Sequence, residues 1–284
     1  VDDPSTIAYW RKRAVRAEHD LEKSGEKDTA VEVLCDLASS LAPRAYSPAP
    51  PLLSVPKGEG TPQSAVLMLS DTHIGQVIRP EQTLGMGGYN FEIFLRRLAR
   101  LERSVQSILQ DHTTTAVRTI HVCMLGDMLH GNLVHSVEAG QKNTLFEQFY
   151  SAGHALAQFL RGLSQLAPVE VHTAVGNHTR WGTQHRMPTD NVYSNMDQFL
   201  YAYTEALTPI ERVTWRLDKQ PFARFDVEGF RFLATHGTHL RGGDRILGIP
   251  AHAIGRNVST QSQLAARNDE PLPNYYLVGH LHRP

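Results

Sequence analysis

The chain has 284 residues, 41% of them hydrophobic and 20% charged, which is enough to bury one large core without disulfide staples. Its two cysteines, Cys35 and Cys123, exclude a disulfide framework and a cysteine-rich metal site. A net charge of −1 gives no overall pull toward nucleic acid, although a local basic groove can sit inside a neutral total. No run approaches the roughly 18 apolar residues of a membrane-spanning helix, and no secretory leader is visible. The expected setting is therefore cytoplasmic and away from a membrane.

Residues 1–62 read as a helical arm and linker. In "STIAYWRKRAVRAEHDLEKSGEK", Ile7, Trp10, Ala14, Ala17 and Leu21 recur at heptad-like spacing. A second helix shows one apolar face, Val31, Leu34, Leu37 and Leu41, behind a possible capping box of Thr29 and Glu32, and Pro43 ends it. "PRAYSPAPPLLSVPKGEGTPQ" has linker composition. The arm is expected to pack on the main domain, or to join a partner protein or a second copy of the chain.

Residues 63–284 read as the main domain. "SAVLMLSD" is a buried strand. A glycine-rich loop, "LGMGGYN", then leads to a helix marked by Phe94, Leu98, Leu101, Val105 and Ile108, with Asn90 as N-cap. "TIHVCMLGD" is the next strand, with Cys123 a buried small hydrophobe inside it. Residues 144–166 form a helix, "VEVHTAVGNH" a strand, and Asp190 to about Leu207 another helix. The strands "VTWRL", "FARFDVE" and "FRFLATHG" follow, then a loop or helix over 240–268, and finally "YYLVGHLH". Strand alternating with helix, followed by a run of strands, predicts an α/β sandwich with mixed sheets.

One event recurs along this domain: an apolar strand ends and a metal-competent side chain follows. Asp71 and His73 stand in "LMLSDTHIG", Asp127 in "VCMLGDMLH", Asn177 and His178 in "HTAVGNHTR", His236 in "FLATHGTH", and His280 and His282 in "YLVGHLH". A single Asp in such a place is ordinarily a turn or cap residue, and a single His a satisfied loop residue. Five cases at strand C-terminal ends point instead to one site, because ligands bind at that edge of an open α/β sheet. In Asp-x-His on an extended segment, side chains two apart point the same way and can reach one ion. Glycines before Asp127, Asn177 and His280 permit tight turns. Mixed Asp, Asn and His ligands suit manganese, iron or zinc.

The ordered set Asp-x-His, Gly-Asp, Gly-Asn-His, His and Gly-His-x-His resembles the calcineurin-like metallophosphoesterase superfamily across residues 64–282. That resemblance implies a four-layer α/β/β/α sandwich carrying two divalent ions, manganese first, with iron or zinc as alternatives. It implies that Asp71, His73 and His282 hold one ion and that Asn177, His236 and His280 hold the other, with Asp127 bridging. A hydroxide shared between the ions would attack phosphorus, and His178 would protonate the leaving oxygen or stabilise the transition state.

"SDTHIG" with "GDMLHGN" is similar to the SbcD-type branch of DNA repair nucleases, and the overall texture is similar to phage and prophage members. In that branch a histidine at the place of His130 contacts the substrate phosphate; the alternative is a loop residue that only supports the site. The expected activity is hydrolysis of DNA phosphodiester bonds, exo or endo. A small-molecule or nucleotide phosphoesterase is the first alternative, and a non-catalytic scaffold on the same fold the second. The chain departs from the family at Thr179, where an acidic residue usually follows Gly-Asn-His; Asp190 or another distant carboxylate is a candidate substitute. The family's sheet, and the capping domain of this branch, continue past the place of His282. Arg241 in "HLRGGDR" is a candidate phosphate clamp or a solvated loop arginine. Arg96, Arg97, Arg100 and Arg103 read as a solvated helix face, with a DNA-backbone stripe second. Tyr275 and Tyr276 read as packing residues.

Overall fold

In a computed structural model of the chain, residues 60–131, 145–180, 195–208, 211–217, 220–240 and 251–282 are described. The helical arm and linker expected over 1–62 lie almost wholly outside them, as do Asp190 and Arg241. The elements run β1 (Gln63–Leu69), α1 (Phe91–Ser107), β2 (Val117–Met124), α2 (Leu145–Leu166), β3 (Val169–Thr173), α3 (Met196–Leu207), β4 (Val213–Arg216), β5 (Ala223–Val227), β6 (Phe230–Thr235), α4 (Ala251–Arg267) and β7 (Tyr275–Val278). Each expected strand forms. The region over 240–268 resolves to a helix from Ala251.

β1 to β4 make one parallel sheet in the order β1-β2-β3-β4. It is purely parallel, because a helix-containing connection returns the chain to the same end before each of β2, β3 and β4. With strands added in one direction and crossovers of one hand, the helices must all lie on one face. The packing agrees: Phe94 and Leu98 of α1, Leu156, Leu160 and Leu163 of α2, and Leu200 and Tyr201 of α3 join Ile120, Val122 and Met124 of β2 in one core. α1 shows why it forms there. Asn90 caps it by accepting from Ile93 N at 2.9 Å, and Phe94, Leu98 and Val105 bury one stripe.

The opposite face takes the second sheet, in the order β5-β6-β7, with β5 and β6 antiparallel and β6 and β7 parallel. Because side chains alternate along a strand, Cys123 points away from the helices. It joins Leu125 and Ala174 in a second core with Ala223, Phe225, Val227 and Ala234. α4 meets this sheet through Gln261, which accepts from Arg224 at 3.2 Å, and Asn257, which accepts from Tyr276. Among the described residues no helix is long and apolar enough to cross a membrane.

At the seam between the sheets, His121 Nδ1 and His172 Nε2 lie 3.1 Å apart, and the His172 ring stacks on Phe225 at 3.8 Å. Burial lowers both imidazoles, His172 to about 4, despite the nearby Glu170. Each starts from about 6.5 in the unfolded chain. A group whose folded pKa is depressed contributes stability above the unfolded value and loses it as pH falls toward the folded value. The melting temperature should therefore drop between pH 6.5 and about 4. His172→Gln should flatten that part of the curve; an unchanged slope would show that His172 titrates normally in the folded protein.

Candidate metal centre

β1 and β2 stay laced together after both strands end. Asp71 N donates to Gly126 O at 3.1 Å, His73 N to Asp127 O at 3.0 Å, Ile74 N to Met128 O at 2.8 Å, and His130 N to Ile74 O at 2.9 Å. The Asp-x-His loop and the Gly-Asp loop are thereby held in register. β7 reaches the same place from the second sheet: His280 N donates to the Asp71 carboxylate, at 2.9 Å to Oδ2.

The expected extended geometry of Asp-x-His is not what brings these side chains together. Asp71, His73, Asp127, His280 and His282 all have left-handed backbones, with φ of 55°, 43°, 49°, 67° and 48°. They are five of the eight non-glycine residues with positive φ among the described residues. Such a conformation costs an ordinary L-residue roughly 1–2 kcal/mol, and strain of this kind collects at functional sites. Sharp left-handed turns, repeated at both Asp-x-His and His-x-His, aim the ligands inward.

Close approach explains one glycine. A Cβ on Gly176 would overlap Asp127, both its amide and its carboxylate. That contact lets Asp127 Oδ1 accept from Asn177 N at 2.7 Å and His178 N at 2.9 Å. The β2 and β3 loops are thus joined through one carboxylate, which is buried completely. Burial alone would raise the Asp127 pKa; the close approach of His236 and the charge of His178 outweigh it, holding the carboxyl well below the usual range.

The side chains gather in two adjoining groups. Asp71, His73 and His282 can offer ligand atoms that all lie within 4.8 Å of one another, and so can Asp127, His236 and His280. In the first group, His282 Nε2 is 3.2 Å from His73 Nε2 and 3.2 Å from Asp71 Oδ1. In the second, His236 Nδ1 sits 2.8 Å from Leu125 O, so Nδ1 must carry the hydrogen and Nε2 keeps its lone pair when the ring is neutral. That Nε2 faces Asp127 Oδ2 at 3.1 Å and Asn177 Oδ1 at 3.2 Å. Asp127 Oδ2 is buried with no well-formed hydrogen bond. Three lone-pair atoms therefore converge, an arrangement that needs a cation or a proton between them. The His236 pKa agrees: burial lowers it, but Asp127 outweighs burial and raises it overall. The donor set and this buried oxygen both fit a divalent ion.

His178 stands beside these groups, its ring 4.4 Å from that of His73 and its Nε2 3.7 Å from Asp127 Oδ2. His130 is buried, with its ring 5.6 Å from His178 and 5.8 Å from His73. The departure at Thr179 has a structural answer. His178 Nδ1 meets the backbone carbonyl of His130 at 3.0 Å, which orients the ring without a neighbouring carboxylate. Thr179 turns away, donating to Asn195 Oδ1 at 2.9 Å.

Two residues at the start of α3 were not identified from the sequence. Asp197, wholly buried, accepts from Asp127 N and Gly176 N, both at 2.9 Å and both on Oδ2. Tyr201, one turn later, donates to Ala174 O at 2.9 Å and accepts from Gly126 N at 3.1 Å. Asn195-x-Asp197 reads locally as an N-cap followed by an acidic residue in the first turn, which is why it carried no further signal. A further group of titratable side chains, His121, Glu170 and His172, is occupied with its own contacts, Glu170 accepting from Arg216 at 3.0 Å. Comparison with protein-family models and with curated proteins returns no match.

Asp197→Ala should weaken metal affinity by roughly 10–100-fold, the usual cost of removing a group that orients a ligand. It would also strand two buried amides at about 1–3 kcal/mol each. Asp197→Asn keeps an oxygen that can accept both amides and should restore most of the affinity in calorimetric manganese titrations. Equal affinity in all three proteins would show that the α3 contact does not position Asp127.

Proposed function

We propose that this chain is a dinuclear-metal phosphodiesterase of the calcineurin-like metallophosphoesterase type, acting on DNA as an exo- or endonuclease. The fold that goes with this reading is the four-layer α/β/β/α sandwich, with α1 to α3 and α4 as its outer layers, and the setting is cytoplasmic. The observation that carries it is the convergence of Asp71, His73, His282 and of Asp127, His236, His280 as two adjoining ligand groups, with Asn177 Oδ1 facing the second. Bound divalent ions, manganese first with iron or zinc as alternatives, would supply a water of lowered pKa and neutralise phosphate charge.

The chain's own residues do the rest. The Asp127 carboxylate is held ionised by the amides of Asn177 and His178 and by His236, and Asp197 fixes its backbone, so it needs no reorganisation when substrate arrives. With Nδ1–H of His178 on the His130 carbonyl, Nε2 is the atom that faces the site, and in the protonated ring it donates to a phosphate or leaving oxygen. His130 places an imidazole, not a further carboxylate, beside His178, which binds a phosphodiester oxygen without adding negative charge. Arg241, outside the described residues and five positions after His236, stays a candidate clamp.

Asp127→Ala should lose metal and activity together. His178→Ala should keep the metal, measured by elemental analysis, and lose roughly 10²–10⁴ in turnover; full activity would remove its catalytic role. His130→Ala should depress cleavage of bis-p-nitrophenyl phosphate more than that of the monoester, and equal effects would reject substrate contact. The deciding assay incubates labelled linear and circular DNA with manganese, using Asp127→Ala as control. Intact DNA alongside consumed mononucleotides or cyclic nucleotides would replace the nuclease reading with the small-molecule one.

A further inference from the structure

The glycine-rich "LGMGGYN" segment has no part in the ligand set, yet it is built with care. Ile78 and Tyr89 exchange two backbone hydrogen bonds of 2.9 Å each and close the intervening loop at its base. Thr83 Oγ1 lies 2.5 Å from Gly87 O and 3.0 Å from Pro80 O, and Tyr89 OH donates to Thr72 O. At the tip, Leu84 is left-handed and 91% exposed, and Met86 is 86% exposed. Leaving two large apolar side chains in water on a pinned, strained loop is a cost with no return in the core.

This loop forms one wall of a groove of about 560 Å³ whose other end is Asp71, His73 and His282. Met86 and Tyr89 line it from the loop; Phe94, Leu98 and Leu101 line it from α1. Arg97, on the helix face expected to be merely solvated, also lines it, its guanidinium over the Tyr89 ring at 5.5 Å from the centroid. The size lies within the range of small-ligand sites. The chemistry is an apolar floor, a flexible thioether at the lip, and a planar cation on an aromatic ring, continuous with ligands of the candidate metal centre.

We infer that this groove takes an unstacked nucleobase, the base of a nucleotide next to the scissile phosphate, with Met86 covering its face and Arg97 meeting the flanking phosphate. The inference rests on the phosphodiesterase reading for the identity of the phosphate at the metal centre. A base in the groove has left the duplex stack, which costs least for single-stranded or frayed ends. Stacking on such a platform tolerates any base. The substrate is thus single-stranded DNA or a strand end, held without sequence preference.

The test is fluorescence anisotropy on the metal-free protein with a labelled thymidine hexanucleotide and a hexamer of abasic sugar phosphates. The expected result is roughly tenfold tighter binding of the base-bearing strand. Met86→Ala should remove that preference, and Arg97→Gln should weaken binding of both strands. Both positions are exposed, so neither change threatens the fold. Equal binding of the two hexamers, no binding of either, or a preference that survives Met86→Ala would overturn the inference. Manganese-dependent hydrolysis of bis-p-nitrophenyl phosphate is measured in parallel. Hydrolysis with base-independent binding removes the groove and keeps the phosphodiesterase, whereas base-dependent binding without hydrolysis does the reverse.

Discussion

The site depends on the burial of one carboxylate. Asp127 has no solvent contact, so every lone pair on it must be answered from within the protein. One oxygen is answered by the amides of Asn177 and His178, and the residue's own amide by Asp197. The other oxygen is left facing His236 without a proper hydrogen bond. Three separate segments are thus tied to a single residue, and the remaining oxygen has one direction in which to act. A buried charge without partners would be expelled or protonated; here the surrounding donors keep it ionised, and that keeps the loops in place.

The sheet order makes such a convergence possible. Consecutive parallel strands bring the ends of β1, β2 and β3 side by side, and helices on one face leave the other free for the second sheet. β6 and β7 then deliver His236, His280 and His282 from across the seam. α3 acts as a buckle beneath the parallel sheet: its first two turns hold the β2 and β3 loops by their backbones, through Asp197 and Tyr201. The loops that carry the candidate ligands are therefore irregular in conformation yet held at several points by hydrogen bonds.

Much of this was legible from residue types. The strands showed as short apolar runs, and the expected ligands showed because Asp, Asn and His recur at strand ends. Asn90 was readable as a cap because capping is local. What escaped was set by tertiary approach. Asp197 is an ordinary first-turn acid until the β2 and β3 loops are folded over it. Arg97 shares a helix face with Arg96 and Arg100, and only the position of Tyr89 distinguishes it. The extended geometry expected of Asp-x-His failed because a two-residue spacing does not reveal backbone handedness. The orientation of His178 was unreadable for a similar reason: its partner is a main-chain carbonyl, which any residue at position 130 would supply.

The contact between His280 and Asp71 spans 209 residues. During synthesis Asp71 is therefore made long before the β7 amide that binds its carboxylate. A nascent or cleaved chain that stops before β7 has Asp71, His73 and Asp127 but lacks His280 and His282, so neither candidate group is complete. Such a chain still has the Asn177, His178 and His236 contacts of Asp127, whereas the Asp71 carboxylate lacks its tie to the second sheet. Completion of both candidate groups is in this way a late event in synthesis, because each of them takes a histidine from the end of β7.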